Sequence, residues 1–124
     1  MCIRDRTDAD EIEQQTGLTV YATVPFSSAQ AHLAATAEHP TALLAVEEPD
    51  DPAIESLRTF RTALQFALLN SPNHVVVITG PAPGVGKSFV SLNFAAIAAK
   101  AGRKVVLIDA DLRRGNLNLS LIHI

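Results

Sequence analysis

The 124-residue chain has one cysteine, Cys2, no tryptophan and one tyrosine, Tyr21. A single cysteine excludes an intrachain disulfide and a cysteine-based zinc cluster. The four histidines, His32, His39, His74 and His123, show no metal-ligand spacing and read as surface or turn residues. The longest apolar runs, residues 94–99 and 105–108, fall far short of the ~20 residues needed to cross a bilayer. No apolar segment follows Met1 in the manner of a secretory signal. With 48% hydrophobic and 19% charged residues, disordered, collagen-like and coiled-coil chains are excluded, and a soluble, cytoplasmic chain of at most one domain is expected. The scarce aromatics and scattered basic residues give no sign of a nucleic-acid partner.

Charge is present but unevenly placed. Residues 1–55 hold two basic and eleven acidic side chains, whereas residues 56–124 hold eight basic and two acidic ones. The basic half suits an anionic ligand, or the acidic half of the same or a neighbouring chain.

Along the chain, residues 1–6 and 119–124 match nothing around them and read as non-native ends. A short polar helix is expected over 8–16, capped by Asp8 or Asp10 and stopped by Gly17. Residues 18–24 alternate apolar and polar, predicting a half-buried strand ended by Pro25. The small, Ala-rich stretch 27–41 fits either a weak helix or a connector. Asp51 and Pro52 are an N-cap and first-turn pair for a helix running to about Leu69, with Ile54, Leu57, Leu64 and Leu68 as its apolar stripe and Phe60 and Ala67 beside it. Next come the β-branched run Val75-Val76-Val77-Ile78-Thr79, a Gly/Pro loop, a helix over 88–101 closed by Gly102, and a second β-branched run over 104–109. This order predicts a βαβ crossover in a parallel sheet covered on both faces.

The loop between the first run and the helix reads Gly84-Val85-Gly86-Lys87-Ser88. Small residues let the backbone curl around a phosphate, so that successive N–H groups and a helix N-terminus face the anion. Lys87 is placed to reach β/γ-phosphates, and Ser88 to offer its hydroxyl to Mg²⁺. Pro81 and Pro83 lack an N–H, so the donors must be Gly84, Val85, Gly86, Lys87 and Ser88. Pro81 also stands where the strict G-x-x-x-x-G-K-[ST] pattern has its first glycine.

The second run leads into Asp109-Ala110-Asp111. In a parallel sheet both strand ends share one edge, which places Asp109 and Asp111 beside Lys87, where a carboxylate can hold metal through water or orient an attacking hydroxyl. A hydrated turn is the plainer alternative. Glu55, Arg58 and Arg61, three apart, form an oblique polar ridge. By pattern it is a solvated face with a Glu55–Arg58 pair, or a subunit contact.

Taken in order, Val20-Tyr21-Ala22-Thr23-Val24-Pro25, the Glu55/Arg58/Arg61 helix, Ala82-Pro83-Gly84-Val85-Gly86-Lys87-Ser88 and Leu107-Ile108-Asp109-Ala110-Asp111-Leu112-Arg113-Arg114-Gly115 resemble the cytoplasmic P-loop domain of bacterial tyrosine autokinases of capsule and exopolysaccharide assembly. The resemblance covers about residues 11–116. It implies an α/β P-loop NTPase fold, cut after the Walker A′ strand, that uses ATP and Mg²⁺. Gly84, Gly86, Lys87 and Ser88 match the Walker A loop, in which that family tolerates a non-Gly residue at 81. Asp109 and Asp111 match Walker A′, with magnesium and catalytic duties. Glu55, Arg58 and Arg61 match the E-x-x-R-x-x-R motif, which implies a ring-like homo-oligomer in which one subunit's tyrosine tail enters the next subunit's site. A membrane chain-length-determinant module, fused or separate, is the implied partner at the inner membrane. Related partitioning and septum-site ATPases carry a signature lysine where this chain has Ala82.

No residue after 116 can supply the family's Walker B strand, and no tyrosine-rich tail is present. The expected organisation is therefore a linker with one short strand over 7–52 and the N-terminal part of a kinase domain over 53–118. Such a piece is expected to be poorly stable and inactive by itself. A partitioning-type ATPase without kinase activity and a non-catalytic scaffold are the alternative functions.

Overall fold

The computed structural model describes residues 9–36, 43–111 and 121–123. Residues 1–8 and 112–120, which include one suspected foreign end and the arginine part of the second acidic motif, lie outside them, as do residues 37–42 of the Ala-rich stretch.

Helix α1 (Ala9–Thr16) ends as expected at Gly17, whose φ of 70° suits a residue without Cβ and whose N–H donates to Glu13 O at 2.9 Å. No residue of α1 is buried. Residues 19–24 keep the predicted alternation: Val20, Ala22 and Val24 are half-buried, while Thr19, Tyr21 and Thr23 are exposed; Leu18, expected on the buried side, is exposed as well. They do not form the predicted strand, because no described segment pairs with them. Side-chain alternation sets which face is wet, but a strand also needs a ladder partner.

The Ala-rich stretch is helical over α2 (Ser28–Thr36). Ser27 starts it: its hydroxyl oxygen accepts from Gln30 N at 3.1 Å, and its O–H donates to Asp51 Oδ2 at 2.9 Å. A one-turn helix, α3 (Leu44–Glu47), precedes the expected breaker. Helix α4 (Pro52–Ala67) begins as predicted, with Asp51 Oδ1 accepting from Ala53 N at 2.8 Å and Pro52 in its first turn. It ends two residues earlier than expected, in a turn closed by Leu68 N donating to Leu64 O. Helix α5 (Lys87–Lys100) closes through Gly102, whose φ is 84°.

The core lies where α3, α4 and α5 meet. Leu44, Ala45, Ala53, Ile54, Leu57, Ala96 and Ile97 are buried together, with Val24, Ala29, Leu33, Phe89 and Val90 packed against them. Burying Leu44, Ile54 and Leu57 contributes about 1.5–3 kcal/mol each before chain entropy is counted. Alanines at 45, 53 and 96 let the backbones approach closely. Phe60 and Phe94 join α4 to α5 with ring centroids 5.3 Å apart at 56°. Of the predicted α4 stripe, Ile54 and Leu57 are fully buried, whereas Leu64 and Leu68 are half-buried and Ala67 is exposed.

The parallel sheet is not shown among the described residues. The 75–79 run is assigned to no helix or strand and is unpaired among the described residues, and Val75 and Val77 are 72% and 82% exposed. The 104–109 run forms only β1 (Val106–Ile108), which pairs antiparallel with β2 (Leu121–His123) in the register Val106↔His123, Leu107↔Ile122, Ile108↔Leu121. A β-branched run states a preference for a pleated surface but does not create the neighbour that completes one.

Candidate nucleotide site

The phosphate loop follows from backbone freedom at two glycines. Gly84 and Gly86 have φ of 75° and 101°, which residues with a Cβ rarely adopt, and open space lies where a Cβ would stand on either. Gly86 is the N-cap of α5, and no side chain caps the helix there. Its carbonyl already accepts from Val90 N at 2.9 Å, so the helix is established while its first amides remain without a side-chain acceptor. Lys87 and Ser88 open the helix, Ser88 exposed and Lys87 half-buried.

Gly80 is a site residue that sequence reasoning passed over. A Cβ there would stand 2.8 Å from Val85 Cγ2 and 3.2–3.3 Å from Lys87 Cδ and Cγ. The loop folds back so that Val85 and the lysine stem lie over residue 80, and a Cβ there requires them to shift. Its place six residues before Gly86, at the end of a β-branched run, was the available signal.

Asp109 and Asp111 follow β1, which packs against α5. Asp109 Oδ1 accepts from Asp111 N at 2.9 Å, closing a local turn that holds the Asp109 carboxylate over the backbone of Asp111. Both make further interactions.

The polar ridge of α4 is partly paired. Arg58 Nη1 donates to Glu55 Oε1 in an exposed ion pair, worth little by itself. Arg58 and Arg61 also line a notch of about 140 Å³ with Ala45, Ile97, Lys100 and Ala101. Lys100 Nζ donates to Ala45 O at 2.8 Å across its rim. The structure thus brings Glu55, Arg58 and Arg61 together and adds Lys100, from the far end of the helix that Lys87 begins.

The loop and helix start carry donor types that suit a magnesium–nucleotide: two positive-φ glycines, helix amides without a side-chain cap, the Lys87 ammonium and the Ser88 hydroxyl. No helix among the described residues is long and apolar enough to cross a membrane.

Comparison with known proteins gives the same picture. Residues 76–123 match the family model described as CobQ/CobB/MinD/ParA nucleotide binding domain. The chain is 56% identical over 115 residues to EpsB of Ralstonia solanacearum, covering 90% of this chain and 15% of that protein. It is 40% identical over 129 residues to tyrosine-protein kinase etk of Escherichia coli (strain K12), covering 91% and 17%. Among solved structures, the BceF tyrosine kinase domain superposes with a TM-score of 0.79 at 47% identity, covering 86% of this chain and 46% of that one. The Escherichia coli ETK kinase domain gives 0.77 at 40%, covering 86% and 42%. The chain therefore spans about a sixth of the curated relatives and under half of the solved kinase domains. Over the residues it shares with them, the chain is a homologue of the bacterial tyrosine-protein kinases and carries a P-loop nucleotide-binding fold.

Proposed function

We propose that this chain is the ATP-gripping part of a protein-tyrosine autokinase that regulates capsule or exopolysaccharide polymerisation and export. The observation that carries it is the β-branched run, glycine loop and uncapped helix over residues 75–100, set in a chain about half identical to tyrosine kinases. On this reading the amides of Gly84 through Ser88 hold the β- and γ-phosphates, and the Lys87 ammonium sits against them as charge moves toward the leaving oxygen. Ser88 and the carboxylates of Asp109 and Asp111 hold Mg²⁺, which when bound neutralises phosphate charge. One of the two carboxylates also orients the acceptor hydroxyl and takes its proton. Catalysis then rests on positioning and charge stabilisation.

Residues 53–118 form the N-terminal part of the kinase domain in this account, and the α4 ridge at Glu55, Arg58 and Arg61 meets a neighbouring subunit in a ring. The membrane chain-length-determinant module places the parent protein at the cytoplasmic face of the inner membrane. Ala82, where partitioning ATPases have a lysine, favours the kinase over that alternative.

The test is Lys87→Ala in the full-length protein. Nucleotide affinity is expected to fall by about tenfold or more, a loss of ~1.4 kcal/mol or more, and tyrosine phosphorylation to disappear. Unchanged affinity would support the scaffold reading, and ATP hydrolysis without tyrosine phosphate in the wild type would support the ATPase.

A further inference from the structure

Lys100 lies outside the three-residue motif of α4 yet stands at the same notch as its arginines. We infer that Lys100 is a third cation of the subunit contact and receives, with Arg58 and Arg61, a carboxylate of a second copy of this chain; the inference rests on the subunit-contact reading of the α4 ridge above.

Three elements meet at the notch. Arg58 and Arg61 come from α4, Ile97 and Lys100 from the end of α5, and Ala45 from α3. A lysine in the last turn of a helix is ordinarily explained by the helix dipole and by the last carbonyls of its own helix. Here those carbonyls have other donors. Ile97 O accepts from Ala101 N at 3.1 Å, Ala98 O from Arg103 N at 3.1 Å, and Ala99 O from Gly102 N at 2.9 Å. Lys100 Nζ reaches across to α3 instead and donates to Ala45 O at 2.8 Å.

That acceptor is firmly held. Ala45 is 1% exposed, and its N–H donates to Asn93 Oδ1 at 2.8 Å. Asn93 and Lys100 stand two turns apart on α5, so one helix face holds both the amide and the carbonyl of the same residue. The long lysine stem is thereby ordered before any partner arrives, which lowers the entropy cost of docking. One N–H of the ammonium is engaged and two remain to donate.

Charge sets the class of the occupant. Arg58, Arg61 and Lys100 bring three positive charges to a notch of about 140 Å³, and among the described residues Glu55 is the one carboxylate ion-paired with them. Like charges gathered in this way repel one another until an anion enters. The chain itself carries such anions, since residues 1–55 hold eleven acidic side chains against two basic ones. A basic notch on one copy and an acidic group on the next make a head-to-tail contact, the type that closes into rings.

The test is self-association of the full-length protein, followed by sedimentation at constant salt. Arg61→Ala is expected to weaken it, and Lys100→Met to raise its dissociation constant by about tenfold. Lys100→Arg, which keeps the charge and the reach, should recover most of that loss. If both cations receive one carboxylate, the double variant should lose less than the two single losses combined. Urea unfolding of each variant is measured alongside, because a purely structural lysine would shift the unfolding midpoint and leave the association losses additive. Unchanged association in Lys100→Met, or additive losses, overturns the inference and leaves the subunit-contact reading standing so long as Arg61→Ala weakens association. Unchanged association in Arg61→Ala, or a wild type that stays monomeric, overturns both.

Discussion

Replacing Asn93 by leucine probes how the phosphate-loop helix is attached to the rest of the chain. Asn93 lies in the middle of α5 and is 2% exposed. Its Oδ1 accepts from Ala45 N at 2.8 Å, and its Nδ2 donates to Phe89 O at 2.9 Å. Ala45 is in the first turn of α3, where no carbonyl of its own helix can reach its amide. Leu43, the N-cap, offers no side-chain bond. Asn93 therefore caps α3 from across the core. Leucine keeps the branching and the number of heavy atoms, so it removes both hydrogen-bonding groups and adds methyl bulk to a buried site. Phe89 O keeps its place in the α5 ladder, but the Ala45 amide, in a residue 1% exposed, loses its acceptor. An orphaned buried donor costs about 1–3 kcal/mol, and ~2 kcal/mol is the expected loss here. With a denaturant slope of about 1–2 kcal/mol per molar for a chain of this size, the urea midpoint should fall by roughly 1–2 M. Amide exchange at Ala45 should quicken more than exchange at Ile97. A midpoint within error of wild type, together with unchanged Ala45 exchange, would refute the cross-core cap.

The remaining predictions concern single atoms of the same framework. Asp51→Ala removes both the α4 cap and the acceptor for Ser27, and should cost about 1–2 kcal/mol in urea unfolding, while Asp51→Asn recovers most of it. Gly86→Val forces a β-branched residue to a φ of 101°; nucleotide affinity measured by calorimetry should drop by about tenfold or more, with little change in the α4–α3 core. Gly80→Val drives Val85 and the Lys87 stem away from residue 80 and should weaken nucleotide binding, whereas Gly80→Ala should do so less because its one contact under 3 Å is to the Val85 Cγ2 methyl, a side-chain end.

Where sequence and structure agree, the information is local. Asp51-Pro52 marks a helix start because a cap and a fixed φ act within one turn. Gly17 and Gly102 mark helix ends because a positive φ is a property of one residue. The phosphate loop was legible for the same reason: glycine spacing, a lysine and a hydroxyl are contiguous. The α2 start was also written locally, in Ser27 and Gln30 three residues apart, but the small-residue composition obscured it. Gly80 was visible as a loop glycine without its purpose, since the crowding comes from Val85 and Lys87 folding back.

The sequence by itself determined the boundaries of α1, α4 and α5 to within two residues, the wet and dry sides of residues 19–24 and the glycine positions of the loop before α5, all through interactions within a few residues. Tertiary structure alone decided that β1 pairs antiparallel with β2, that Asn93 is a buried cap and that Lys100 joins Arg58 and Arg61 around one notch. Each of those depends on which distant segment comes within hydrogen-bonding or packing distance, and residue preferences cannot specify a partner that only the folded chain brings near.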